Sequence, residues 1–424
     1  MTQHGALSIV LNIKQGMKQQ LIAKLAVVNN DVNNNSILPF KKLGSIHFAR
    51  FLICNSTANP GGNPILDRLV FTTNYDLPQD NHIQELVQFA GPGLWDIFSM
   101  CDGFESGNYD APRLAEFFKS KNIKSNTFYV GVGNRSVKQI CNENILRKEI
   151  GHYVDANHGL FDKKDALYIR EHIIRHLKSK PELEAMLPPE PKPSFAWELK
   201  QFGALFLAVV IAVLLSPILV PFLIIWVLIL FKQEIQDKPV NNVVTKDHLR
   251  DLINRETGMV QAQFSAVGNL KPGFIRLQTM LTLLGVVNFM APYLFSKGKL
   301  SGIPTVHFAR WLIINEGRQM LFLSNYDGNS ESYLTDFINI AAKQLTLLFS
   351  HTIGYPKTYL LMFGGAKDAK KFMEWARYNQ TVTNVWYSAN KDVNVKNIYN
   401  NSKIKDGLLG SMSEYEAAKW LRLI

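Results

Sequence analysis

Two histidine–arginine pairs carry the first chemical signal in this chain. "IHFARFLICN" holds His47 and Arg50, and "VHFARWLIIN" holds His307 and Arg310. An imidazole can serve as a general base, a metal ligand or a haem ligand, and a guanidinium can grip a carboxylate, propionate or phosphate through its planar fork. Each pair is followed by "NYD", at Asn74–Asp76 and Asn325–Asp327. Arg50 and Arg310 could therefore pair with Asp76 and Asp327, while Asn and Asp at a strand end commonly make turns or cap the next helix. In a regular strand, residues three apart face opposite ways, so His47 is expected beside Ala49 and Phe51, with Arg50 on the other face beside Phe48. On that geometry the histidine and arginine of one pair do not serve one site.

Other chemistry-bearing residues have plainer readings. His172 and His176 lie four apart in "EHIIRH" and share a helix face, but this is not HExxH and no third ligand stands out. A solvated basic helix facing a membrane is the expectation there, and no metal site is assigned. The glycines of "YVGVGNRSVKQI" and "LLMFGGAKDAKKF" open helices without forming GxGxxG or a P-loop, and no Gly-x-Ser-x-Gly elbow occurs. Cys54, Cys101 and Cys141 have no regular spacing, which argues against a disulfide framework and for a reducing compartment.

The elements that must position these residues come twice. "ALSIVLNI", "MKQQLIAKLAVVNN", strands around Phe48 and Phe71 joined through a loop at residues 60–64, "HIQELVQFAGPGLWDIF" and "NTFYVGVG" read as β-α-β-β-α-β. The order recurs in "MVQAQFSAV", "FIRLQTMLTLLGVV", "TVHFARWLII", "QMLFLSNYD", "YLTDFINIAAKQLTLLF" and "TYLLMFGG". This predicts an α+β fold of two ferredoxin-like (βαββαβ) repeats. In "QMLFLSNYD" both strand faces are apolar, one for the unit's own helices and one for a partner sheet, so the repeats are expected to pack sheet to sheet. The segments are then repeat 1 (1–160), a basic amphipathic helix and Pro-rich linker (161–200), an apolar membrane segment (201–232), a linker (233–257) and repeat 2 with a C-terminal extension (258–424). "TVTNVWYSA" and "NIYNNSKIKDGLLG" in that extension show no counterpart in repeat 1.

Paired ferredoxin-like units of this kind resemble the dimeric α/β-barrel superfamily, which includes dye-decolourising peroxidases and chlorite-dismutase-like haem proteins. The resemblance implies an oxidoreductase with haem as its cofactor. It places Arg310 and Asp327 nearest the chemistry and His307 and Arg50 against the cofactor. The peroxidase motif Gly-x-x-Asp-Gly is approached by "SNYDG" at Ser324–Gly328 and by "SMCDG" at Ser99–Gly103, each with Ser in the first place.

Between the repeats, Phe202–Phe231 is almost wholly apolar, with Pro217 and Pro221 near its middle. A straight helix of that length would be about 45 Å, longer than a hydrocarbon core of roughly 30 Å. Two repeats that form one barrel must lie on one side of a membrane. A helical hairpin turning at "SPILVP" meets that demand, and a kinked single span is the alternative. "MLTLLGVVNFMAPYLF" (280–295) reads equally as a second membrane-facing stretch or as a core helix. A net charge of +11 without a nucleic-acid-binding motif points to an anionic membrane surface rather than nucleic acid, with homo-oligomerisation left open. "MTQHGALSIVLNIKQG" has no basic n-region and too short an apolar run for a signal peptide, so the soluble repeats are expected in the cytosol. Two functions follow: a membrane-anchored, peroxidase-like oxidoreductase, or a non-enzymatic membrane-surface module that binds an apolar or anionic ligand or a partner protein.

Overall fold

The computed structural model describes residues 3–57, 64–105, 107–189, 195–255, 260–294, 300 and 302–424. Most of the loop expected at 60–64 and the middle of the Pro-rich linker (190–194) lie outside the described residues. The first half runs β1 (His4–Asn12), α1 (Lys18–Asn30), β2 (Ile46–Cys54), β3 (Arg68–Asp76), α2 (Gln79–Phe98), α3 (Ala111–Lys121), β4 (Thr127–Val130) and α4 (Val137–Ala156). Then come α5 (His158–Phe161), α6 (Ala166–Lys178), α7 (Pro181–Glu184), the long α8 (Phe195–Gln236) and α9 (Lys246–Asn254). The second half runs β5 (Gln261–Asn269), α10 (Phe274–Leu294), β6 (Val306–Ile314), β7 (Gln319–Asp327) and α11 (Ser330–Phe349). It ends with a hairpin of β8 (Thr358–Tyr359) and β9 (Phe363–Gly364), then α12 (Ala369–Asn379), β10 (Thr383–Ser388), α13 (Val395–Gly407) and α14 (Glu414–Leu421).

The fold is mixed α+β with antiparallel sheets. Strands apolar on both faces belong in the middle of a sheet, and every residue of β2 is buried. One sheet has the order β1-β3-β2-β10 and the other β4-β6-β7-β5. Neither is built from one half alone. β10 comes from the second half to pair with β2, and β4 comes from the first half to pair with β6. The units expected at 1–160 and 258–424 thus exchange their edge strands. "TVTNVWYSA" is the counterpart of β4: Gly131 N–H donates to His307 O (2.7 Å), and Ala389 N–H donates to His47 O (3.0 Å). "TYLLMFGG", expected as a sheet strand, is instead the β8–β9 hairpin. Glu234 of α8 pins its turn by accepting from the Thr358 hydroxyl (2.5 Å) and Leu361 N–H (3.1 Å).

Alternation along each strand divides the apolar residues between two layers. Ala49, Phe51, Leu69 and Phe71 face helices, whereas Leu52, Cys54 and Val70 pack on Leu312, Ile314, Leu321 and Leu323 of the other sheet. Helix α4, which follows the exchanged β4, packs on α13, which follows the exchanged β10. Helix α6 does not stand free: Ile173 and Leu177 are buried with residues of α4 and α13, and Trp420 of α14 joins the same cluster.

Helices α8 and α10 are long and apolar enough to span a membrane. α8 is one uninterrupted helix of 42 residues, about 63 Å at 1.5 Å per residue, so no turn forms at "SPILVP". Pro217 and Pro221 sit within it and each withholds a backbone donor. Its C-terminal end docks firmly. Trp226 donates to Thr279 (2.8 Å), Leu230 is buried, and Asp237 just beyond the helix accepts from Lys271 and Arg276 (both 2.8 Å). α10 is a core helix on one side, where Met280 and Leu284 are buried and the Thr127 hydroxyl donates to Leu284 O (2.6 Å). On its other side Phe274, Val286 and Phe289 are exposed.

Candidate functional site

The two histidine–arginine pairs meet between the sheets, through a device that strand alternation does not predict. In β2 the pairing register shifts between Ile46 and Phe48, and in β6 between Val306 and Phe308. Each shift is a bulge with the histidine as the extra residue, which turns it toward the same face as the phenylalanine and arginine that follow. The expectation that His47 and Arg50 point to opposite faces is corrected by that bulge. His307 and Phe48 lie with ring centres 5.5 Å apart, and Phe48 and Phe308 at 5.8 Å.

The arginines cross from one sheet to the other. Arg50 donates to Phe264 O (3.0 Å), Ser265 Oγ (2.9 Å), Ser324 O (2.9 Å) and Asn325 Oδ1 (2.5 Å). Arg310 returns the bond, donating to Leu7 O (2.8 Å), Ser8 Oγ (2.9 Å) and Thr73 O (2.7 Å), with Phe128 beneath its guanidinium. Both are buried. Desolvation pulls each pKa down to about 9, and for Arg50 the Arg310 charge adds to it, yet both stay protonated at neutral pH. Neither pairs with an aspartate, and Arg310 and Asp327 do not act on each other.

The aspartates belong to the histidines. His47 Nε2 lies 2.8 Å from Asp76 Oδ1, and His307 Nε2 lies 2.6 Å from Asp327 Oδ1. The second carboxylate oxygen of each accepts the first backbone N–H of an exchanged helix: Val137 of α4 for Asp76 (2.9 Å) and Val395 of α13 for Asp327 (2.8 Å). Burial alone would raise Asp76, but the nearby His4 imidazole and the hydrogen bonds from His47 and Val137 N–H hold it at about 2. Desolvation lowers His47 below its usual value despite Asp76 beside it. The arrangement is an ionised carboxylate against a neutral imidazole.

His4, to which sequence reasoning gave no role, completes the first cluster. Antiparallel pairing sets His4 directly opposite Asp76. His4 Nδ1 lies 3.4 Å from Asp76 Oδ1, and the His4 and His47 rings meet edge to face at 4.9 Å. One potential ligand atom from each of His4, His47 and Asp76 falls within 4.8 Å of the others. The matching place in the second sheet, opposite Asp327, holds Gln261. Its side-chain N–H groups donate to Asn390 O (3.1 Å) and Val393 O (2.5 Å), and its oxygen accepts from Ser388 (2.6 Å). The signal for His4 lay in the polar "QH" that opens β1, but it means something only once the β1–β3 register is known.

The residues do not fit a haem. His307 Nε2, the atom that would reach iron, is held by Asp327, and its ring packs on Phe48 inside the sheet interface. Both terminal nitrogens of Arg50 and of Arg310 already donate within the protein, leaving no fork for a propionate. The space between the sheets is filled by Leu52, Val70, Leu312 and Leu321. Asp102 of "SMCDG" follows the bridge-forming Cys101 at the opposite end of β1 from His4. His176 Nε2 is bonded to Glu149 (2.8 Å), and among the described residues the potential ligand atoms of His172, His176 and Glu149 do not converge as those of His4, His47 and Asp76 do. No protein-family model, no curated protein and no solved structure matches this chain.

Proposed function

We propose that this protein is a membrane-surface binding module, seated on one face of a bilayer by α8, and not a peroxidase. The observation that carries this reading is the conjunction of α8 with the exchanged strands. Phe206, Leu214 and Ile218 of α8 are 71–73% exposed. Leaving such side chains in water forfeits about 1.5–3 kcal/mol each, so a long row of them exceeds the roughly 5–15 kcal/mol that holds a domain together. A lipid environment removes the problem. The residues before α8 and those after it share both sheets, so they sit on the same side of any membrane. α8, which makes no turn, therefore lies along one face of the membrane instead of crossing it.

The surface beside α8 supports the same reading. The β8–β9 turn exposes Tyr359, Leu360, Met362 and Phe363 around Leu360 and Leu361, whose φ angles are +52° and +59°. Left-handed conformations in two successive leucines cost roughly 1–2 kcal/mol each, a cost met by the Glu234 bonds from α8. An apolar tip held in this way beside an apolar helix, with Phe274 exposed at the start of α10, is suited to the headgroup–acyl boundary. The net positive charge favours anionic lipid, and three unpaired cysteines favour a cytosolic face. The architecture behind it is read as a duplicated ferredoxin-like unit with exchanged fourth strands, akin to the dimeric α/β barrels but closed within one chain.

Sidedness tests the proposal. Asn30→Cys and Lys391→Cys, each in a cysteine-free background, are probed with an impermeant thiol reagent in sealed vesicles containing phosphatidylserine. Labelling of both from the same side is expected, and removal of residues 202–231 abolishes vesicle binding with the sheet signal in circular dichroism intact. Labelling from opposite sides, or no vesicle binding by the full chain, overturns it.

A further inference from the structure

We infer that His4, His47 and Asp76 form a binding site for one divalent transition-metal ion of the zinc class, and that the matching position in the second sheet is its silenced copy. The donor set is two imidazoles and one carboxylate, the composition of open zinc sites with a fourth position left for water or substrate. The His4 side chain is only 2% exposed, yet neither ring nitrogen has a hydrogen-bond partner of good geometry. A buried imidazole without partners is costly, and a metal bond would satisfy it.

The spacing suits the ion. Tetrahedral bonds of about 2.0–2.1 Å set ligand atoms about 3.3–3.4 Å apart. His4 Nδ1 and Asp76 Oδ1 already stand at 3.4 Å, and His47 Nε2 and Asp76 Oδ1, at 2.8 Å, need open only slightly. Metal binding at Nε2 would replace the His47–Asp76 hydrogen bond, and the one proton of the neutral imidazole would then sit on Nδ1. The other Asp76 oxygen stays on Val137 N–H, which fixes the carboxylate as outer-shell partners of metal ligands do. Phe308 packs beside both imidazoles, its ring centre 5.5 Å from that of His4 and 5.3 Å from that of His47.

The second sheet supplies the internal control. His307 and Asp327 repeat His47 and Asp76, but Gln261 stands at the place of His4 and spends its amide on Asn390, Val393 and Ser388. Gln at this register position is therefore compatible with the sheet.

The test uses the full chain without an affinity tag, in detergent, stripped with chelator and titrated with Zn²⁺ by calorimetry and with Co²⁺ by visible absorption. One ion per chain is expected, with a cobalt spectrum of low coordination number. His4→Gln should weaken binding by about 100-fold or more while the apo protein melts as the parent does. Gln261→His should raise the stoichiometry toward two. Absence of stoichiometric binding by the parent chain overturns the site. So does unchanged affinity in His4→Gln, which would place the ion elsewhere, with His172 and His176 as the next residues to replace.

Discussion

Replacing Arg310 by alanine should cost about 4 kcal/mol of stability. The guanidinium is buried between the sheets and donates to Leu7 O, Ser8 Oγ and Thr73 O, all in strands of the opposite sheet. Truncation leaves those three acceptors facing a hole. A buried polar group left unpaired costs roughly 1–3 kcal/mol. The Ser8 hydroxyl can rotate, and water can enter part of the space, so the low end of that range applies to each. Lost packing on Phe128 adds to the total. Arg50→Ala removes four such bonds and should cost slightly more. The two charges also oppose each other, since Arg310 lowers the Arg50 pKa. Each single replacement already relieves that repulsion, so removing both should cost more than the sum of the singles, by about 1 kcal/mol. Urea unfolding of the full chain in detergent, followed by far-ultraviolet circular dichroism, measures all three variants. At a slope of about 2–3 kcal/mol per molar, the Arg310→Ala midpoint should fall by roughly 1.5 M. A loss under about 1 kcal/mol would refute the cross-sheet role and return Arg310 to the pool of groups free to bind a ligand.

Three further outcomes follow from other parts of the fold. His82, between Ser45 and Thr73 and stacked on Tyr75, and His351 are both held by burial at about 3. Their folded pKa values lie below the unfolded 6.5, so the unfolded chain binds the protons and stability falls as pH drops from 6.5 toward 3. The slope is at most about 1.4 kcal/mol per pH unit for each histidine, and His82→Tyr, which copies Tyr333 stacked on Tyr326, should remove one of the two contributions from a series of urea midpoints. Burial pushes the Cys54 and Cys101 thiols up to about 12, whereas Cys141 is exposed, so a thiol reagent at neutral pH should modify Cys141 alone until urea unfolds the sheets; native labelling of Cys54 would contradict the sheet packing. A Cβ on Gly131 would clash with the Val306 carbonyl, so Gly131→Ala should loosen β4 and cost several kcal/mol, while Ala389→Gly at the matching place should cost about 0.5–1 kcal/mol; limited proteolysis near residue 131 should rise only in the former.

Much of the α+β framework was legible because its signals are local. Alternation in "QMLFLSNYD" located β7 and its two apolar faces, and helical periodicity located α2 and α11. What escaped was set by register and by distant partners. The extra residue at His47 and at His307 is a single slip in pairing, invisible in a string that reads as a clean strand, and it turns each histidine to the other face. The hydrogen bonds of Asp76 to α4 and of Asp327 to α13 exist only because β4 and β10 trade places. "TYLLMFGG" has strand composition, but the Glu234 carboxylate, donated by a helix far upstream, turns it into a hairpin. Continuity through Pro217 and Pro221 likewise runs against local proline chemistry, in a helix of 42 residues.

The exchange of strands connects these separate surprises. Had each half closed its own sheet, α8 could have crossed a bilayer as a tether between two domains. With β4 and β10 traded, no membrane can pass between the halves, and the same trade brings the first turns of α4 and α13 onto Asp76 and Asp327. The carboxylate that positions His47 is thus held by a helix whose own strand lies in the opposite sheet. Any force that parts the sheets releases Val137 from Asp76 along with Arg50 and Arg310 from their carbonyls. The His4–His47–Asp76 cluster is intact only in the fully closed protein, and an ion bound there would resist that separation. Metal added to the stripped full chain should therefore raise the urea midpoint of the parent and leave that of His4→Gln where it was. Equal midpoints with and without metal in the parent would separate the cluster from the closure of the sheets.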